Sequence, residues 1–218
     1  MAHARLIALA FVSALALACG GDRPAEAPQP LDTTPKGAAD FPNDDRVHGK
    51  FHSTRFALTV PLPDGRAWKI DDHSRPELVA THEKTSSTLT VLTTLENSLV
   101  NRQACEKRAR DLNWVPKTLT TVEDETTVGP EAYDSRIWVA LEAKDEKATV
   151  QGHVFVFGAF IRKCLLIHAT TRVPSAKDET VLASRLALLR AKIVGGLTFD
   201  PPRTTDDAVP RDKPEIRK

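Results

Sequence analysis

Apolar and polar residues alternate in many short stretches of this chain, and two longer stretches repeat with the period of a helix. Phe56-Ala57-Leu58-Thr59-Val60 alternates as a half-buried strand does, and Asp64-Gly65 supplies the turn that ends it. Trp68 and Ile70 resume the two-residue period. Residues 78–82 and 88–93 are rich in Thr, Val and Leu, which suit a pleated surface, and predict two strands joined by a turn over 84–87. Asn97 or Ser98 can cap a helix running to about Asn113. Its apolar stripe is Leu99, Cys105, Ala109 and Leu112, which turns Cys105 toward the core. Arg102, Glu106 and Arg110 recur at four-residue spacing and predict an exposed charged face.

Pro116 ends that helix. A Thr-rich strand is expected over 118–127, then paired strands over 133–141 and 149–160 around a charged turn at 143–147. Residues 154–161 are apolar on both faces, so this strand should be central, with something covering each side. Arg162-Lys163 turns the chain into a further strand, Cys164 to His168. Ser175 and Asp178 resemble a capping box, Val181, Leu182, Leu186, Leu189 and Ile193 form a second helical stripe, and Gly195-Gly196 stops it. Strands in blocks with short turns, followed by helices, predict an α+β fold. The simplest architecture is an antiparallel sheet of five to seven strands flanked by two main helices, an α/β/α sandwich.

The ends of the chain differ from this middle. Residues 20–50 hold five prolines and residues 201–218 four more, of fifteen in all, and neither stretch has the periodicity to bury a core. The expected division is residues 1–18 as a leader, 19–50 as a Pro-rich tether, 51–200 as one domain and 201–218 as a tail.

The leader opens with Arg5, continues through an apolar run from Leu6 to Ala18 broken only by Ser13, and ends in Ala16-Leu17-Ala18-Cys19-Gly20. Thirteen apolar residues reach only about 20 Å as a helix, short of a membrane core. The layout is that of a secretory signal, and a cysteine after the small residues resembles a bacterial lipoprotein signal. That resemblance implies lipidation of Cys19, a membrane partner through the N-terminal lipid, and a place in the cell envelope. Gly20 where many inner-membrane lipoproteins carry Asp points toward the outer membrane, facing the periplasm. Lipidation leaves an even pair, Cys105 and Cys164. Export favours a disulfide between them; the alternative is two buried thiols packing as small hydrophobes.

Chemistry is otherwise sparse. The chain carries 30 Lys plus Arg against 29 Asp plus Glu, interspersed, which argues against a nucleic-acid partner. No HExxH, GxSxG, Walker or dinucleotide glycine motif is present, nor a CxxC or an EF-hand loop. His48 and His52 straddle Gly49 in an expected loop, and His168 in its apolar strand reads as a hydrogen-bonded core residue. Trp68, Trp114 and Trp138 read as core or edge residues. The expected catalytic, cofactor and metal sets are therefore empty.

The turn Pro61-x-Pro63-x-Gly65-x-x-Trp68, the strand pair and helix after it, the meander through residues 154–160 and the closing helix together resemble the PsbP-like superfamily. Its bacterial members include DcrB-like lipoproteins. The resemblance implies a non-enzymatic adaptor or assembly factor that binds an envelope protein through a sheet edge or a helix face. The competing expectation is a small-ligand carrier or enzyme with a pocket between sheet and helix.

Overall fold

The computed structural model describes residues 38–200, apart from 130–132 and 144–148. Cys19, the leader, most of the tether, the tail and most of the 143–147 turn lie outside the described residues. The class is α+β, with two main helices and two antiparallel sheets. Strands β1 (Gly49–Ser53), β2 (Leu58–Leu62) and β10 (Thr198–Phe199) form a small sheet in the order β1-β2-β10. The main sheet contains β3 (Trp68–Asp71), β4 (Leu78–His82), β5 (Ser87–Leu95), β6 (Thr120–Gly129), β7 (Tyr133–Ala143), β8 (Val150–Phe160) and β9 (Lys163–Val173). Its order is β3-β4-β5-β9-β8-β7-β6, so β9 and β8 are central and β6 is an edge. The strand over 56–60, expected in one sheet with the others, lies instead in the separate small sheet.

The two-faced apolar strand is β8, and its alternation splits the core. Val154 and Val156 join Leu165, Ile167, Leu182, Leu186 and Leu189 on one face. Phe155 and Phe157 join Leu166, Cys105 and Ala109 on the other. Helix α2 (Glu179–Leu188) thus packs on the first face and α1 (Arg102–Asp111) on the second. Gly152 in β8 makes room for α2, since a Cβ there would meet Leu186 Cδ1 at 2.7 Å.

Helix α1 starts three or four residues later than the capping signals at Asn97 and Ser98 indicate. Asn101 is its cap, accepting from the Ala104 amide at 2.9 Å. The two ends of the 96–100 segment are held by the β8–β9 turn instead of the helix: Glu96 donates to the Arg162 carbonyl at 2.8 Å and Val100 to that of Ile161 at 2.9 Å. Leu99, read as part of the helical core stripe, is instead 77 % exposed. The charged face of α1 is a seam rather than a solvated surface. Glu106 accepts from Arg110 and from Arg136 on β7, and Arg102 pairs with Asp134.

The fold also begins before residue 51. Phe41 is buried, stacked 6.1 Å from Trp68 and tilted against His82 at 5.0 Å. Arg185 of α2, itself buried, donates to the carbonyls of Thr85 and Arg172 at 2.8 Å and to that of Ala39. Residues 38–41 are therefore strapped to the domain, because an apolar anchor and a buried guanidinium hold them.

Candidate interaction surface

Strand β6 is hydrogen-bonded to β7 only, so its outer backbone edge is unpaired among the described residues. The register slips between Thr121 and Glu123, a bulge that pushes Val122 out to 60 % exposure. Beside it runs a cavity of about 290 Å³. Its floor is Val139 and Leu141 of β7, one wall is Val122 and Glu123, and the other is Leu182, Ala183, Leu186 and Ala187 of α2. Helical spacing explains the second wall. Leu182 and Leu186 point into the core, while Ala183 and Ala187 beside them are exposed and too small to close the gap.

Charge frames the groove. Arg190, on the π-helical segment Leu189–Val194 that ends α2, pairs with Glu123 at 2.6 Å and with Glu125. Its Nε–H is buried without a hydrogen-bond partner among the described residues. Asp124 faces the opposite side and pairs with Arg136 at 2.7 Å, which lowers the Asp124 pKa and raises that of Arg136. With Glu179 at the rim, acids outnumber bases along this edge. Such charges and a bulge guard a sheet edge against indiscriminate pairing.

Two polar chains elsewhere resemble catalytic relays. Asp64, His82 and Thr85 are linked at 3.3 and 2.8 Å, and Thr85 continues to Ser87 at 2.8 Å. The Thr85 amide also donates to His82 Nδ1, so His82 caps the short 3-10 turn Glu83–Thr85. Burial depresses the His82 pKa, with Asp64 opposing, and Thr85 and Ser87 are themselves buried. The second chain joins His153 Nδ1 to His168 Nε2 at 3.0 Å, with Glu142 3.7 Å from His153. His168 stacks on Phe155 at 4.4 Å and lies 6.3 Å from Trp114. Burial, with repulsion from His153, depresses its pKa to about 3.

The remaining sequence candidates separate. Cys105 and Cys164 are bonded, with sulfurs 2.05 Å apart, and join α1 to β9. His48 pairs with Asp45 and His52 with Asp200, so the two histidines do not converge. Trp68 donates to the Pro63 carbonyl at 2.6 Å, closing the turn that carried the family resemblance. Trp138 lies in the core on the α1 face. Among the described residues there is no cluster of three or more metal-ligating side chains, and no helix is long and apolar enough to cross a membrane. Sequence reasoning missed the groove; Val122 amid Thr and acidic residues was its one visible signal.

No protein-family model matches the chain, and no curated protein matches it. A 1.50 Å crystal structure from Bacteroides thetaiotaomicron VPI-5482 is similar over 70 % of this chain and 48 % of that one, at 12 % identity and a TM-score of 0.36. The chain spans about half the length of that structure, and a likeness of this size assigns neither family nor activity.

Proposed function

We propose that this chain is a membrane-tethered, non-catalytic envelope module that binds an extended segment of a protein partner along β6. The reading rests on one observation: an apolar groove lies beside an unpaired sheet edge. A strand added to such an edge gains main-chain hydrogen bonds, and a side-chain pocket next to it gives specificity. The acidic rim of Glu123, Glu125 and Glu179 selects a segment with basic residues next to an apolar anchor. The domain is read as a PsbP-like α/β/α sandwich, and lipid on Cys19 as its anchor. Tethering lets a weak site act, because it raises the local concentration of a partner in the same membrane.

A small amphipathic ligand in the same groove is the second reading. It draws on the unpartnered Nε–H of Arg190, a donor beside apolar walls. Filling the groove from its exposed side with Ala183→Trp separates the cases. Loss of a co-purifying envelope protein supports the first reading. Loss of a bound small molecule, detected by mass spectrometry of the denatured protein, supports the second. The anchor is tested by Cys19→Ala, which should release the protein from the membrane fraction; retention there would contradict lipidation.

A further inference from the structure

Four large apolar side chains crowd one end of the main sheet. Leu95 is 73 % exposed, Leu99 77 %, Ile161 60 % and Phe160 41 %. Leu95 and Phe160 both pair with Lys163, so they share a row across β5, β9 and β8. Leu99 sits next to Val100, whose amide is bonded to Ile161. Arg162 Nε also donates to the Glu96 carbonyl at 2.8 Å. Tyr133 lies 5.5 Å from Phe160 and adds an aromatic collar. The turn itself is Ile161-Arg162, and Ile161 has φ 55°, a left-handed conformation that a β-branched residue seldom adopts. Glycine would sit there without strain, so the site keeps an exposed isoleucine at a conformational cost.

The flanks are cationic. Arg162 and Lys163 are exposed, and neither pairs with a carboxylate among the described residues. The nearby acids are engaged: Glu96 faces Arg108, Asp134 faces Arg102 and Asp200 faces His52. We infer that this tip docks on an anionic lipid surface, with Leu95, Leu99, Phe160 and Ile161 in the interfacial layer and Arg162 and Lys163 on the headgroups. A projecting apolar tip with an aromatic collar and free cations matches the chemistry of that layer.

The geometry permits this alongside the tether. The strapped residues Ala39 and Phe41 lie near His82, which pairs with Ser87 at the start of β5, while Leu95 ends it. Nine strand residues place the tip about 26 Å from that strap. Eighteen residues separate Cys19 from Ala38, a reach of up to about 60 Å. One membrane can therefore hold both the lipid and the tip.

The test uses the full chain carrying Cys19→Ser, with a single thiol introduced by Leu99→Cys and labelled with an environment-sensitive fluorophore. A second sample carries the label at Lys84→Cys, at the other end of β5. Vesicles of phosphatidylcholine with about 30 % phosphatidylglycerol should raise and blue-shift the emission at position 99 severalfold, but not at 84. Brominated acyl chains should quench position 99 alone. Adding Ile161→Asp should abolish the response, and Arg162→Gln with Lys163→Gln should remove its dependence on the anionic lipid. Leu95→Cys serves as a replicate site should labelling at 99 perturb the loop. Equal, water-like emission at 99 and 84 with every vesicle overturns the inference. So does a concentration-dependent blue shift at 99 without lipid, which would give the tip to a second copy, or a shift caused only by an added protein.

Discussion

Val100 donates its amide hydrogen to the Ile161 carbonyl across 2.9 Å, and that bond shapes both segments. It holds residues 96–100 against the β8–β9 turn, delays the start of α1 to Arg102, and fixes Leu99 beside Ile161. Ile161 carries the strain, with φ 55°. Ile161→Gly should therefore raise stability by about 1 kcal/mol in urea unfolding, while lipid contact at the tip is lost. A fall in stability would show that the isoleucine side chain is a packing residue rather than a docking one.

The disulfide ties α1 to β9 across 59 residues. Cys105→Ala with Cys164→Ala frees the unfolded chain and should cost about 4 kcal/mol, on a chain-entropy account. Urea titration measures this. Thiol alkylation of the native protein, followed by mass spectrometry, should leave both cysteines unlabelled.

Arg185 is a buried cation whose described hydrogen-bond acceptors are neutral oxygens, the carbonyls of Thr85, Arg172 and Ala39 and the Thr171 hydroxyl, with the carboxylates of Asp40 and Asp178 acting on it through charge alone. Arg185→Ala leaves these acceptors without their donor inside the fold and should cost about 3 kcal/mol. The strap at residues 38–41 should loosen first, so limited proteolysis near Phe41 should quicken before global unfolding. Unchanged cleavage there would contradict the strap.

Acid should weaken the fold before its carboxylates protonate. Burial depresses the pKa of His168 to about 3 from 6.5, and that of His82 falls in the same direction. Below pH 6.5 the unfolded chain binds protons that the native histidines refuse. Stability is thus present at neutral pH and falls as pH drops from 6.5, by up to about 1.4 kcal/mol per unit per histidine. Urea midpoints between about pH 7 and 5 check this. His168→Phe should shallow the slope; an unchanged slope would exclude His168 as a source.

Period and punctuation made much of the fold legible. The unbroken apolar run of residues 154–161 marks β8 as central, and the helical spacing of Cys105 and Ala109 turns Cys105 inward. Proline content misplaced the domain start, because one phenylalanine and a distant arginine decide where the strap is held. The start of α1 was obscured because the competing bonds come from residues 161 and 162, some sixty positions away. The groove is illegible beyond Val122 for the same reason: Val122, Leu141 and Ala183 become neighbours only after β6 and α2 pack on one face.

The binding role is tested most directly by a photo-crosslinking amino acid at Val122 in the native full-length protein, with the same group at Lys84 as control. The proposed role predicts one dominant adduct with an envelope protein at position 122, through an extended segment bearing basic residues, absent at 84 and lost with Ala183→Trp. Equal adducts at both positions, or none at 122 while the fold is intact, would contradict it.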